Sequence, residues 1–112
     1  MKTIPKSEDD TTDDQIKAQI FDIVRAIPAG RVLSYGAVGA GSTPPISGYI
    51  CGRIMQNVPN DVPWWRVVGK NGNLPIHKRN PELSILQRET LEAEGVDFDE
   101  TGSVKMTEFS DE

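Results

Sequence analysis

The residues that could bind or react with a ligand are few and lie near the middle of the chain. Two adjacent tryptophans, Trp64 and Trp65, follow Pro63 and precede Arg66. Aromatic rings bordered by cations are suited to stacking on a nucleobase. The alternative is that both rings fill the core, since a tryptophan buries a large apolar area. Because adjacent residues of a strand point to opposite faces, at least one ring is expected in a cleft or at the surface.

Reactive groups are scarce in this sequence. Cys51 is the single cysteine and His77 the single histidine. A buried, unreactive thiol is the expected state of Cys51, which stands between apolar and small residues in a segment with a helical pattern. A zinc cage cannot form from one cysteine and one histidine, so neither a metal nor a cofactor is expected. An enzyme that uses Cys51 as its nucleophile is the one catalytic hypothesis left open.

The charges are distributed unevenly along the 112 residues, whose formal net charge is -5. Residues 1–14 contain five acidic residues and two lysines, and residues 97–112 contain six acidic residues and one lysine. The body between them has nine basic and six acidic residues. Acidic ends are typical of solvated tails, whereas a basic body indicates an anion-binding surface. We predict a flexible acidic tail at 1–14, one domain at 15–98 and an acidic tail at 99–112.

Apolar periodicity predicts a long first helix. Its apolar residues recur at helical spacing over residues 16–27. Thr12 and Gln15 have the spacing of a capping box, and Pro28 marks the end of the helix. This helix would provide one wall of the core.

Two shorter helices should follow. Ser34 is expected to cap a helix that runs to about Ala40. A turn at residues 42–45, whose second proline would occupy a first helical turn, leads to a helix from Ile46 to about Asn57. Two helices joined by a short turn form either an ordinary hairpin or a helix-turn-helix, in which the second helix enters a DNA groove.

The second half predicts a β-hairpin and a last helix. Residues 71–72 are an Asn-Gly pair, so a strand over residues 66–68 is expected to turn back near Leu74. Asn80 is expected to cap a helix that ends at about Glu94, where the following glycine would close it. The predicted fold is therefore mainly α with a small β-hairpin.

Several motifs, in their order, resemble the DNA-binding domain of O6-alkylguanine-DNA alkyltransferases. They are residues 27–32, 34–36, 45–55, 63–68 and 91–95. The resemblance covers about residues 15–98. It implies a helix-turn-helix, winged-helix-like fold of the alkyltransferase C-terminal type. It also implies that the second helix of this unit enters the minor groove.

The active-site motif of that family is Pro-Cys-His-Arg-Val. Trp64 stands here at the position of the cysteine and Trp65 at that of the histidine, whereas Pro63, Arg66 and Val67 match. A tryptophan cannot accept an alkyl group as a thioether. The chain therefore resembles the alkyltransferase-like proteins, non-catalytic relatives that bind O6-alkylguanine in DNA and pass the lesion to nucleotide excision repair.

The resemblance also implies roles for individual residues. Tyr35 and Tyr49 would flip the base and fill the gap, although the family has an arginine at the position of Tyr49. Glu94 matches a family glutamate next to the missing histidine, so a role as a cap or pocket wall is expected. The lesion pocket would contain Tyr35, Pro63, Trp64, Trp65, Arg66, Val67 and Glu94. The DNA-binding residues would be Arg31, Ser34, Gly48, Gly52, Arg53, Lys70 and Arg79.

The expected partners are double-stranded DNA containing O6-alkylguanine and nucleotide excision repair proteins. We expect a monomer without a membrane partner, since no apolar run approaches the roughly 20 residues of a membrane span. It would lie in the cytoplasm of a bacterium, near the nucleoid, or in a eukaryotic nucleus. Two alternatives are a sequence-reading helix-turn-helix factor and a protein-interaction domain that has lost lesion recognition. The first is disfavoured because, among residues 46–54, only Arg53 could make bidentate base contacts.

Overall fold

The computed structural model describes residues 4–75 and 80–110, and for residues 4–13 it describes the backbone alone. The described part is mostly helical with one short pair of parallel strands. The helices are α1 (Ile4–Arg25), α2 (Tyr35–Ala40), α3 (Gly48–Ile54) and α4 (Pro81–Ala93), and the strands are β1 (Leu33–Ser34) and β2 (Val67–Val68).

α1 confirms the predicted apolar face, because Ile20 and Val24 are fully buried. Its start differs from the prediction. The helix begins at Ile4, so Thr12 lies inside it and the predicted capping box is wrong. Most of the acidic segment 1–14 therefore belongs to the N-terminal half of α1 instead of preceding it. The helix ends at Arg25, before Pro28 as expected.

α2 and α3 form the helix-turn-helix. The Ser34 hydroxyl accepts a hydrogen bond from the Ala37 amide at 3.0 Å, which confirms the predicted cap of α2. α3 starts later than predicted, since Ser47 caps it by accepting from the Ile50 amide at 3.2 Å. The turn between the helices is fixed by the Ile46 amide, which donates to the Gly39 carbonyl at 3.0 Å.

The predicted β-hairpin is wrong. β2 pairs in parallel with β1, with Leu33 opposite Val67. The Asn-Gly turn does form, since the Gly69 amide donates to the Asn73 carbonyl at 2.8 Å. The returning chain adds no further strand to β2 in the described residues, and the Gly72 carbonyl accepts from the Val104 amide at 2.8 Å. The C-terminal segment therefore bonds to the turn that follows β2.

The C-terminal segment is part of the fold, so the tail predicted at 99–112 is wrong for residues 99–110. Phe109 is only 7% exposed and packs beside buried Val104. The Val32 amide donates to the Glu108 carbonyl at 3.1 Å, and the Val32 carbonyl accepts from the Ser110 amide at 2.8 Å. The domain therefore extends beyond residue 98, because these contacts join the C-terminal segment to the rest of the fold.

Two apolar clusters lie on either side of the strand pair. The first joins α1 to the helix-turn-helix and includes Val38 and Cys51. The second lies under α4 and includes Leu91. α4 begins and ends as predicted, with Asn80 at its N-cap and Gly95 in the left-handed region at φ +93°. None of the described helices is both long and apolar enough to cross a membrane.

Candidate functional site

A cleft of about 580 Å³ opens between the helix-turn-helix and the segment that follows β2. Three aromatic side chains, from Tyr35, Tyr49 and Trp64, contribute to its walls. The volume is within the roughly 300–1,000 Å³ of small-molecule sites. The other lining residues are Gly36, Gly48, Gly52, Arg53, Met55, Gln56, Gly69, Lys70, Asn73 and Pro75.

The charge of the cleft is positive. Arg53 and Lys70 line it, and no acidic residue is among the lining residues. Both cations are exposed, and neither takes part in the ion pairs of the described side chains. A rim of this kind attracts an anionic polymer.

Two glycines of α3 shape the cleft in different ways. A Cβ atom on Gly48 would lie 3.1 Å from the Gly36 nitrogen, so Gly48 permits the close crossing of α2 and α3. A Cβ atom on Gly52 would meet only the Tyr35 ring, at 3.9 Å. Gly52 therefore leaves open space beside an aromatic ring, which a larger side chain would occupy.

The two tryptophans diverge, as predicted, but a 3-10 turn over Trp64–Arg66 separates them instead of a strand. Their ring centroids are 6.0 Å apart and the planes are nearly perpendicular, at 83°. Trp64 packs on the first apolar cluster and lines the cleft. Trp65 packs on the second cluster and does not reach the cleft.

Behind this turn, α4 supplies the groups that hold it. Glu94 accepts two hydrogen bonds from Arg66, at 3.1 and 2.7 Å, and a third from the Trp65 indole nitrogen at 3.0 Å. Arg66 also donates to the Ile27 carbonyl at 2.9 Å. The buried Gln87 amide donates to the Trp65 and Val67 carbonyls at 3.2 and 3.1 Å. Every hydrogen bond here fixes the position of the segment that carries Trp64.

The ion pair keeps Glu94 charged. Hydrogen bonds from Arg66 hold the pKa of Glu94 below its usual value, against the opposing effect of partial burial, and the bond from Trp65 adds to the lowering. A carboxylate committed to three donors is a structural group, which agrees with the expected role outside a proton relay.

The structure divides the residues of the predicted lesion pocket into two groups. Tyr35 and Trp64 line the cleft, whereas the other five predicted residues lie outside its lining. Within the 3-10 turn, consecutive side chains point in different directions, and of its three residues only Trp64 lines the cleft. The five are Pro63, Trp65, Arg66, Val67 and Glu94.

The predicted DNA-binding residues likewise include some that line the cleft and some that do not. Gly48, Gly52, Arg53 and Lys70 line the cleft, as does the predicted base-flipping residue Tyr49. Two others have structural roles. Arg31 donates to the Phe109 carbonyl at 2.8 Å, and Ser34 caps α2. Arg79 lies outside the described residues.

The lining residues that sequence reasoning missed include Gln56, Asn73 and Pro75. The chain turn at residues 71–72 was predicted, but the hairpin strand expected after it does not form, and Asn73 lines the cleft instead. No local pattern carries that information.

Cys51 is fully buried on the inner face of α3 and does not line the cleft. Burial raises the pKa of its thiol to about 11. A thiol in this state is a poor nucleophile at neutral pH, which confirms the expected unreactive state and removes the structural basis for the Cys51 enzyme hypothesis.

Comparison with known proteins agrees with the geometry. The family model described as 6-O-methylguanine DNA methyltransferase, DNA binding domain, matches residues 15–96. A DNA base-flipping protein of Vibrio parahaemolyticus is 30% identical over 98 residues, covering 86% of this chain and 95% of that protein. Alkyltransferase-like protein 1 of Schizosaccharomyces pombe is 31% identical over 91 residues, covering 79% and 82%.

A solved structure of S. pombe Atl1 in complex with damaged DNA containing O6-carboxymethylguanine has a TM-score of 0.69 and 27% identity to this chain. The structural match covers 88% of this chain and 97% of the Atl1 chain. The matched family, the relatives and the described fold all agree. The chain belongs to the 6-O-methylguanine DNA methyltransferase DNA-binding domain family, with alkyltransferase-like proteins among its relatives.

Proposed function

We propose that this protein binds O6-alkylguanine in duplex DNA and receives the flipped base in the cleft, without transferring the alkyl group. The observation that carries the proposal is the cleft itself, which combines Trp64 and two tyrosines with a cationic rim. The S. pombe relative in complex with damaged DNA supports the same kind of ligand. Arg53 and Lys70 would contact phosphates and give affinity that falls with salt.

Tyr49 is the residue best placed to enter the duplex. Among the large apolar residues whose side chains the structure describes, Tyr49 is the most exposed, at 74%, and it lies on α3 at the edge of the cleft. Its ring can stack in the gap left by the flipped base, although it lacks the charge and the fork of donors of an arginine. Tyr35, at the start of α2, would act on the phosphate beside that base.

Selection for a damaged base follows from a near balance of energies. Flipping costs a few kcal/mol, and less for a base whose pairing is already weakened. Stacking on an aromatic ring returns roughly 1–3 kcal/mol. Apolar surface around Met55 and Pro75 rewards an alkyl group by about 0.8 kcal/mol for each buried methylene. A normal guanine gains little net energy from this exchange, whereas an alkylated guanine gains more.

Trp64 provides the most direct test of the cleft. Trp64→Leu removes the stacking surface and is expected to weaken binding to an O6-methylguanine duplex by about 5- to 150-fold, the equivalent of 1–3 kcal/mol. Binding to the plain duplex should change much less, because its guanine stays in the stack. Fluorescence anisotropy with both duplexes measures the ratio of affinities.

Phe98→Leu is the control, because it also replaces an aromatic ring by leucine, but in the second apolar cluster and outside the cleft lining. It should leave the ratio of affinities unchanged at a temperature where circular dichroism shows both variants folded. An equal loss of the ratio in both variants, or in neither, would show that the cleft does not hold the lesion.

The proposal extends to the fate of the lesion. Because no alkyl group is transferred, the bound base stays damaged and another activity must remove it. We propose that the complex marks the site for nucleotide excision repair proteins. The protein would do so as a monomer, in the cytoplasm of a bacterium or the nucleus of a eukaryote.

A further inference from the structure

α3 has a second groove on the side away from the cleft. We infer that this groove binds the sugar–phosphate backbone of the DNA strand opposite the lesion, with Lys17 of α1 as a phosphate contact. The inference rests on the proposed function, because it requires α3 to lie in a DNA groove. The walls of the second groove are the apolar side chains of Ile16, Ile46, Ile50 and Ile54.

The geometry of α3 places the two concave surfaces back to back. Tyr49 and Arg53, one helical turn apart, line both of them and form the ridge between them. Gly52 faces the cleft, whereas Ile50 and Ile54 face the second groove. A helix in a DNA groove has one strand on each side. If the cleft takes a base from one strand, the second groove faces the other strand.

The chemistry of the second groove fits a sugar–phosphate backbone. Ile50 is 47% exposed, and isoleucines suit the apolar faces of deoxyribose. Lys17 and Arg53 supply positive charge, and no acidic residue is among the lining residues. Lys17 is exposed and takes part in none of the ion pairs between described side chains. The groove is therefore complementary in charge to phosphate and continuous with the proposed lesion site.

Lys17→Ala tests the contact. It should weaken binding to guanine and O6-methylguanine duplexes by the same factor, roughly three- to tenfold near 0.1 M salt. The slope of log affinity against log salt should become shallower by about 1. The ratio between the two duplexes should not change. Lys105→Ala, which removes an exposed lysine that lines neither concave surface, is the control and should change neither affinity nor slope.

The strand is identified with methylphosphonate linkages, which remove the phosphate charge. Placed in the strand opposite the lesion, they should abolish the difference between Lys17→Ala and the wild-type protein, whereas in the lesion strand they should leave it intact. The inference is overturned if Lys17→Ala alters neither affinity nor slope, if it changes the ratio, or if its effect follows the lesion strand. These outcomes are separable from failure of the proposed function, which appears as equal wild-type affinity for both duplexes.

Discussion

Glu94→Ala is expected to lower the free energy of unfolding by about 2–3 kcal/mol. The substitution leaves Arg66 partly buried without its carboxylate and removes the acceptor of the Trp65 indole. Breaking a fully buried ion pair costs about 3–5 kcal/mol, and the smaller value follows because 16% of each side chain remains exposed. Since Arg66 and Trp65 follow Trp64 in the same turn, the wall of the cleft should loosen as well. Urea unfolding measures the loss.

Glu92→Ala on the same helix is the matched control. Glu92 pairs with Arg88 at 3.1 Å, but these side chains are 49% and 43% exposed. Exposed pairs contribute about 0–1 kcal/mol, so the change in stability should be at most a few tenths of a kcal/mol. A similar loss in both variants would contradict the structural role assigned to Glu94.

The same ion pair predicts how stability depends on pH. The pKa of Glu94 is lower in the folded protein than in the unfolded chain, whose glutamates titrate near about 4.3. Its contribution is therefore complete above that value and is lost as pH falls through the lower folded pKa. The difference in stability between wild type and Glu94→Ala should shrink as pH falls below about 4.

Gly39→Ala should be the second strongly destabilising substitution, by about 2–3 kcal/mol. An added Cβ atom would lie 2.5 Å from the Ile46 carbonyl oxygen and 3.2 Å from that of Ser47. These are backbone atoms of the turn before α3, so the turn or the helix must shift. Because α3 carries Tyr49, the variant should also lose DNA affinity. Thermal or urea unfolding gives the stability.

Gly36→Ala in the same helix should have the opposite effect and raise the free energy of unfolding. Its Cβ atom would meet only the Ser34 hydroxyl oxygen, at 3.9 Å. Replacing a helical glycine by alanine without a clash stabilises by about 0.4–1 kcal/mol. If the two variants had the same stability, the close approach of α2 to the following turn would be wrong.

The sequence was sufficient to predict the elements that depend on local signals. The caps at Ser34 and Asn80 and the glycine after α4 satisfy hydrogen bonds within a few residues, and the structure confirms all three. The family and the absence of a reactive cysteine also followed from ordered motifs. These features can be predicted because each depends on residues that are close in the sequence.

Long-range pairing could not be predicted in the same way. β2 pairs with β1, more than 30 residues earlier in the chain, and no local signal around Val67 specifies that partner. The acidic composition of residues 97–112 concealed two buried anchors, Val104 and Phe109. Similarly, the direction of Trp65 is set by Glu94 and not by the residues beside it.

The position of the charges in the fold changes what the net charge implies about DNA binding. A net charge of -5 suggests poor affinity for DNA. The cleft and the second groove, however, are lined by Lys17, Arg53 and Lys70 and by no acidic residue. Local charge at the binding surface governs contact with phosphate, whereas the net charge of the whole chain governs long-range attraction.

The most direct measurement is a titration of the wild-type protein with one duplex carrying either guanine or O6-methylguanine at its centre, at several salt concentrations. We expect tighter binding to the O6-methylguanine duplex at every salt concentration. The two plots of log affinity against log salt should be parallel, with a slope of about -3 for three phosphate contacts. Equal affinities for the two duplexes across the salt series would contradict lesion recognition by this protein.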